Sequence, residues 1–474
     1  VVPEGVGIQL FSLDHYLYVE HMTLRALQVF NVRTGVLGAR RKKSGQSLVG
    51  LLCSYASSQS GRQCIKNWLL KPIVNAAELN ARYDAVAILL QPSNCDNVRV
   101  MQAELRKVKN IQATLKRVVN YRCGKPVRDW HCIWQFCKST LDIANLAREL
   151  LRAAGIDPST PAPPSVPGPS SAVDARQNLF RRLAQQHAAV KTIGDVKRWI
   201  EGIVDFPKSY EEGRLVPNLR LDKNLDEWRR VYDSLDVFLD RIQNEVAQGI
   251  DFELEGRDGV EMEVSYIPQI GYVISFLGVH DKHFDADGIF PPARQMEFQF
   301  KDMSSPTGEI ALFYKNHRMR ELDQYFGDVR STVTDMENSL TRQLRDKVVE
   351  QCGVLFRMGA LLAAIDGIAA MATMSQENAC VRPQIVKDTR LKIVEGRHIL
   401  QCARNVTATQ FVPNDTNLKP SSSRTVQIVT GPNSSGKSVY LKQVGLIVIL
   451  AHIGCFVPAK RMVFGTVDRV FSRI

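Results

Sequence analysis

Closely spaced cysteine pairs are missing from this sequence. Its ten cysteines are scattered along 474 residues, and none belongs to a C-x-x-C motif. This excludes a small domain held together by disulfides, and it argues against a structural zinc site, because both need cysteines at regular short spacings. We therefore expect reduced thiols, as in proteins of the cytosol or the nucleus.

Long apolar runs are also missing. No stretch reaches the roughly 18–20 uninterrupted apolar residues that a membrane-spanning helix requires. The start of the chain shows no signal-peptide pattern; it opens with Val1 instead of Met, and we expect further sequence before it. With 45% hydrophobic and 23% charged residues, the composition is that of a globular protein of about three domains. The net charge of +12 is compatible with a polyanionic partner.

Proline is absent between Pro306 and Pro383. Within this interval, apolar residues alternate between steps of three and four, the spacing of a coiled-coil seam. The seam consists of Leu322, Phe326, Val329, Val333, Met336 and Leu340. Residues 355–374 are then almost wholly apolar. The pattern predicts one long helix that is exposed along its charged first part and buried at its end.

The rest of the chain divides by its periodicity. Helical spacing prevails up to residue 250, and within it residues 47–70 have the spacing of a helix pair. A Pro-rich segment, residues 155–171, interrupts this stretch, and we expect it to be a disordered insertion. Residues 251–305 alternate in places and contain Gly and Pro, which indicates strands and turns. Strand patterns return after residue 381. The predicted fold class is therefore multidomain, with α and α/β parts.

A phosphate-binding loop is the most specific motif of the chain. Residues 431–438 read G-x-x-x-x-G-K-S, after a β-branched run (Val426–Val429) that predicts a buried strand and before apolar residues at helical spacing. Glycines allow several backbone N–H groups to converge on a phosphate, the lysine supplies a positive charge, and the Ser438 hydroxyl is a ligand for Mg²⁺. The candidate phosphate-binding residues are Gly431, Pro432, Asn433, Ser434, Ser435, Gly436, Lys437 and Ser438.

This order of elements and motifs resembles the MutS family of DNA mismatch-binding and junction-binding ATPases. The likeness is most specific from Arg382 to Ile474 and looser before it. It rests on the phosphate loop with Tyr440–Gln443, on Gly454–Ala459 and Asp468–Ile474 after it, on Arg382-Pro383 and Glu395–His398 before it, and on Gly61-Arg62 and Trp68–Pro72 near the start. The resemblance implies the end of a connector region (1–20), a helical core and lever (21–250), a small β-rich clamp (251–305), a returning lever helix and core (306–380), and the first part of a P-loop ATPase α/β domain (381–474).

Ligands and partners follow from the same resemblance. It implies ATP and Mg²⁺ at the loop, with Ser438 on the metal and Phe411 stacked on the adenine; the alternative for Phe411 is an ordinary core residue at a strand end. Ser434-Ser435 and Phe313–Asn316 resemble the eukaryotic meiotic class of the family. That class implies a nuclear clamp subunit that acts on recombination intermediates in meiotic crossing over. It would bind double-stranded or branched DNA and pair with a MutS homologue 4-like subunit.

Enzymatic activity stays open at this point. The second nucleotide motif of the family, the Asp-Glu pair of the Walker B strand, is not found among residues 1–474. Without that carboxylate the chain would lack the group that helps to hold Mg²⁺, so hydrolysis by this chain alone is not expected and no residue is predicted to be catalytic. Two alternatives remain: a non-catalytic MutS-like scaffold subunit from a truncated chain, or a general DNA mismatch repair MutS protein.

DNA contacts are predicted only from charge. The tetrad Arg40, Arg41, Lys42 and Lys43 lies in a polar stretch and is a candidate DNA-binding segment, the alternative being a solvated loop. Residues 251–300 contain ten acidic and three basic residues. A DNA-facing clamp gains affinity from basic residues. Either such residues lie elsewhere, as in this tetrad, or the partner subunit carries them.

Overall fold

The chain forms two compact units. The computed structural model describes residues 15–30, 47–120, 126–157, 179–254, 260–280, 290, 296–302, 310–403, 411–419 and 426–473. The first unit comprises residues 1–200 and 347–474, and the second comprises residues 201–346. The basic tetrad Arg40–Lys43 and most of the Pro-rich segment 155–171 lie outside the described residues.

Helices dominate the first unit, as predicted. Side-chain oxygens of Ser47, Ser58 and Asn75 accept hydrogen bonds from first-turn N–H groups, which fixes where the second, third and fourth helices begin. The helices up to the second unit are α1 (His21–Ala26), α2 (Leu48–Tyr55), α3 (Gln59–Leu70), α4 (Ala76–Leu89), α5 (Cys95–Lys107), α6 (Ile111–Val119), α7 (Pro126–Ala153), α8 (Leu179–Gln185) and α9 (His187–Ile203). The predicted helix pair within residues 47–70 is therefore confirmed.

The second unit combines two helices, a four-stranded sheet and two further helices. Its elements are α10 (Phe206–Glu212), α11 (Lys223–Leu254), β2 (Glu261–Ile267), β3 (Gly271–Val279), β4 (Glu297–Asp302), β5 (Ile310–Lys315), α12 (His317–Tyr325) and α13 (Val329–Glu350). The strands are antiparallel in the order β2-β3-β5-β4. The sheet thus takes in one strand more than the predicted β-rich segment 251–305.

The single long helix predicted after Pro306 is wrong, because it is broken twice. Gly327 takes a left-handed conformation (φ +53°) between α12 and α13, and the Asp328 side chain accepts a hydrogen bond from the Ser331 N–H at the new helix start. A second break at Gln351 separates α13 from α14 (Cys352–Glu377). The predicted apolar seam nevertheless packs as expected, since Val329 and Val333 are buried with Leu225 of α11.

A buried carboxylate fixes the helices of the second unit to one another. Glu337 of α13 is 2% exposed and accepts hydrogen bonds from Arg214 and Arg229, the latter at 3.1 Å from Nε and 2.6 Å from Nη2. Arg229 also donates to the Pro217 carbonyl at 2.9 Å. One carboxylate therefore joins α13, α11 and the segment after α10, and each charge is compensated where it is buried.

Helix α14 forms the centre of the first unit. It packs against α2, α3, α4, α5, α6 and α8, and most of its side chains are buried. The helix is long and apolar enough to cross a membrane by composition alone. Because neighbouring helices enclose its apolar side chains, this composition is that of a core helix. The predicted burial of residues 355–374 is confirmed.

Asp366 is the polar centre of this helical core. Its carboxylate is fully buried and accepts hydrogen bonds from Ser57 N at 3.0 Å, Ser58 N at 2.7 Å and Ser58 Oγ at 2.6 Å. Burial raises the pKa of Asp366, while these donors oppose the shift. A side chain at Gly61 would place its Cβ 2.1 Å from Asp366 Oδ2, so the first turn of α3 requires glycine there.

Two small sheets complete the first unit. Strands β6 (Gln384–Val386), β7 (Leu391–Gly396), β8 (Asn414–Leu418) and β9 (Arg461–Gly465) align in the order β6-β9-β7-β8, with β6 parallel to β9 and the other pairs antiparallel. Strand β1 (Tyr18–Val19) pairs in parallel with β10 (Arg469–Val470). Helix α15 (Ile399–Cys402) follows β7, and α16 (Lys437–His452) packs against β7.

Candidate phosphate-binding site

The predicted phosphate loop contains two glycines with positive φ and ends at the start of a helix. Gly431 and Gly436 have φ angles of +157° and +94°, and Gly436 lies at the N-cap of α16 in the left-handed region. Ser434 also takes a positive φ of +65°, which the sequence alone did not indicate because serine seldom adopts it. The loop therefore leads directly into the first turn of a 16-residue helix.

The polar groups of the loop are arranged for an anion. Within the described residues, the backbone N–H groups of Lys437 and Ser438, in the first turn of α16, donate to no protein group. The Lys437 ammonium turns back over the loop and donates to the Gly431 carbonyl and, at 2.6 Å, to the Pro432 carbonyl. A phosphate would meet unpaired donors, the positive end of a helix and a lysine in one place.

Ser438 is the residue predicted to ligate Mg²⁺. Its side chain is exposed next to Lys437, and its hydroxyl has no partner among the described residues. A hydroxyl in this position could ligate Mg²⁺ that is carried by a bound nucleotide. The described residues contain no group of three or more His, Cys, Asp or Glu side chains that could hold a metal ion.

The strand predicted before the loop is wrong. Residues 426–430 are not part of any strand, and Val426 and Ile428 are 78% and 85% exposed. The physical reason is that a strand needs a hydrogen-bonded neighbour, and none of the described strands pairs with this segment. Val426 and Val429 instead line a cleft of about 530 Å³ beside α16, which includes no residue of the phosphate loop.

Phe411, the predicted adenine-stacking residue, is half-buried in the segment that leads into β8. A residue of α16 connects this region to the phosphate loop. The Tyr440 hydroxyl lies 2.9 Å from Thr416 Oγ1 of β8 and donates to the Asp415 carbonyl at 3.2 Å. The sequence placed Tyr440 in the helix after the loop, but it did not predict these contacts of the Tyr440 hydroxyl.

His452 ends the helix that begins at the phosphate loop. Its ring is fully buried; Nδ1 donates to the Val448 carbonyl at 2.8 Å, and Nε2 accepts from the Val467 N–H at 3.1 Å. A proton on Nε2 would face another donor in a buried setting. Burial accordingly lowers the pKa of His452 to about 4, so the ring is neutral at physiological pH.

Acid should therefore weaken the first unit through His452. Its pKa is about 4 when folded, against about 6.5 in an unfolded chain, so the unfolded state binds more protons between these values. The contribution of neutral His452 to the free energy of unfolding is fully present above about pH 6.5 and is lost as the pH falls toward 4. The loss is roughly 2 kcal/mol at about pH 5. Urea unfolding at neutral pH and at about pH 5 measures the loss.

His452→Gln should make that loss smaller, because glutamine does not titrate. His187→Gln, which changes an exposed histidine, is the matched control and should leave the pH dependence as in the wild type. If the free energy of unfolding depended on pH equally in wild type and His452→Gln, His452 would not be the group that causes the loss in acid.

Comparison with known proteins agrees with this architecture. The family model for MutS domain III matches residues 22–372, and the model for MutS domain V matches residues 427–474, which contain the phosphate loop. The chain is 26% identical to MutS protein homolog 5 of Saccharomyces cerevisiae over 99% of this chain and 50% of that protein. MutS protein homolog 5 of Caenorhabditis elegans is 24% identical over 99% of this chain and 30% of that protein.

Bacterial relatives match at the same level. The DNA mismatch repair protein MutS of Caldicellulosiruptor saccharolyticus is 26% identical over 98% of this chain and 47% of that protein. The chain thus spans about half the length, or less, of these curated relatives. Two of these relatives are MutS protein homolog 5, the member of the family that Ser434-Ser435 and Phe313–Asn316 also resemble. The domain III match covers well over half of the sequence, and the chain belongs to the MutS family.

Proposed function

We propose that this chain is part of an ATP-binding DNA clamp subunit of the MutS homologue 5 type, which acts in the nucleus on recombination intermediates of meiotic crossing over. The observation that carries the proposal is the phosphate loop, whose positive-φ glycines, unpaired first-turn N–H groups and Lys437 occur inside a MutS domain V match. Two relatives named MutS protein homolog 5 support the homologue 5 type.

ATP and Mg²⁺ are the proposed ligands. Residues Gly431–Ser438 would hold the phosphates, the Ser438 hydroxyl would ligate Mg²⁺, and Phe411 would stack on the adenine. Mg²⁺ would neutralise phosphate charge. The residues of this chain bind and orient the nucleotide in this proposal, and no catalytic residue is assigned to it.

DNA and a second MutS subunit are the proposed partners. A MutS homologue 4-like protein would complete a heterodimer around double-stranded or branched DNA. The second candidate function is general DNA mismatch repair, because a bacterial MutS relative matches this chain at the same 26% identity as the yeast homolog 5. The two functions differ in the DNA structure that the protein should prefer.

DNA preference tests the proposal. The full-length protein, together with its MutS homologue 4-like partner, is titrated by fluorescence anisotropy against a four-way junction, a duplex with one mismatch and a fully paired duplex, each with and without ATP and Mg²⁺. We expect the junction to bind at least about fivefold more tightly than the mismatched duplex, and ATP to change the junction affinity. A preference for the mismatch would support the repair function instead. Equal binding of all three DNA structures, unchanged by ATP, would overturn the proposed clamp.

A further inference from the structure

The C-terminal end of α16 is held by the helical core. The last carbonyls of a helix have no partner within the helix itself. Here three consecutive ones accept hydrogen bonds from the residues in and just before α4. Tyr83 Oη donates to the Ala451 carbonyl at 2.6 Å, Ile73 N donates to the His452 carbonyl at 2.7 Å, and Arg82 Nη1 donates to the Ile453 carbonyl at 2.9 Å.

Arg82 is built into this contact. Its side chain is only 12% exposed, its guanidinium lies 4.4 Å from the centre of the Trp68 ring, and it pairs with Glu78 at 3.2 Å. A cation at the C-terminal end of a helix faces the negative end of the helix dipole. The approach is close, since a Cβ at Gly454 (φ +86°) would lie 2.5 Å from Arg82 Cβ.

Helix α16 is a stiff connection between this contact and the phosphate loop. Its 16 residues span about 24 Å at 1.5 Å per residue. From Gln443 to its end most of its side chains are buried, and a Cβ at Gly445 would come within 2.9 Å of Leu27. A shift of its first turn is therefore passed to its last turn, where the carbonyls are bonded to Tyr83 and Arg82.

We infer that Tyr83 and Arg82 are positioning residues that couple the phosphate loop to helix α4, so that the helical core registers nucleotide binding through the C-terminal end of α16. The inference rests on the proposed binding of ATP at residues 431–438. A nucleotide that orders the loop should therefore also order α4. Loosening the contact between α4 and α16 should weaken the effect of the nucleotide on α4.

Hydrogen exchange measured by mass spectrometry tests the coupling in the full chain, with ATP and Mg²⁺ as the probe. In the wild type, ATP should slow exchange in peptides of the phosphate loop and also in those of α4, residues 76–89. Tyr83→Phe removes only the hydroxyl that donates to the Ala451 carbonyl. In this variant ATP should still slow exchange in the loop, while the slowing in α4 should fall to about half of the wild-type value or less. Arg82→Lys keeps the positive charge but removes the planar guanidinium, and it should act in the same direction.

Tyr55→Phe is the matched control. It removes a hydroxyl that bonds Glu377 Oε2 at 2.6 Å in the same helical core, and Tyr55 has no bond to α16. It should leave both responses as in the wild type, and exchange of α14 without ATP should be equal in all variants. Two outcomes would overturn the coupling but leave the ATP site standing. One is that ATP slows exchange in α4 of both Tyr83→Phe and Arg82→Lys as much as in the wild type, and the other is that ATP slows exchange in the wild-type loop but not in α4. A wild-type loop that does not respond to ATP would overturn the proposed ATP site, and the coupling with it.

Discussion

Lys437→Ala should abolish measurable ATP binding. The ammonium is the one side-chain cation of the loop, and removing it takes away a charge-assisted contact to the phosphates. We expect the dissociation constant for ATP to rise at least about 100-fold, equivalent to about 2.7 kcal/mol. The fold should persist, because Lys437 bonds only to carbonyls of its own loop. Isothermal titration calorimetry with ATP and Mg²⁺ measures the change.

Lys442→Ala provides the comparison for that experiment. Lys442 lies on the same helix, outside the loop, and its removal changes the net charge by the same amount. Its ATP affinity should stay within about threefold of the wild type, since Lys442 is half-buried outside the loop and its charge acts on the phosphates only at a distance, where salt screens it. An unchanged affinity in Lys437→Ala, or an equal loss in both variants, would show that the nucleotide does not bind where the motif places it.

Glu337→Ala should be the most damaging single change in the second unit. It removes the carboxylate shared by Arg214 and Arg229, and it leaves the Arg229 guanidinium, only 13% exposed, without its ion-pair partner. Breaking a buried ion pair on one side costs about 3 kcal/mol or more. Native-state hydrogen exchange at amides of α11 and α13 reports this as a lower free energy of opening.

Two variants show whether the charge or the packing of Glu337 matters. Glu337→Gln keeps the shape and one acceptor, and it should recover part of the loss. Glu321→Ala removes a carboxylate from an exposed pair with Arg318 on α12 and should hardly change the exchange of α11 and α13. If Glu337→Ala and Glu321→Ala behaved alike, the buried ion pair would not be what stabilises these helices.

Local patterns predicted the helices of this protein well and its longer-range contacts poorly. The helix pair within residues 47–70 follows from apolar spacing and from Ser47 and Ser58 at the helix starts, which are features of short stretches of sequence. The break at Gly327 was hidden, because an apolar seam continues across it at the same spacing. Spacing alone does not report a glycine in a left-handed conformation.

The candidate site shows the same division. The loop residues and their glycine conformations were predictable, since the motif itself specifies them. The contacts of Tyr440 with β8, and of Arg82 and Tyr83 with α16, join residues that are far apart in sequence, and no local pattern records such pairs. The exposed segment Val426–Val429 was missed for a related reason: β-branched composition favours a strand, but only a neighbouring strand can complete it.

The discontinuity of the first unit has a consequence for synthesis on the ribosome. The Ser472 N–H donates to Thr23 Oγ1 at 2.8 Å across 449 positions, and β1 cannot pair until β10 has been made. The second unit is one continuous segment and can fold as soon as it emerges. The early helices of the first unit must wait, with apolar faces exposed, until the core helix α14 emerges to cover them. We therefore expect chaperones to bind these apolar faces during that interval.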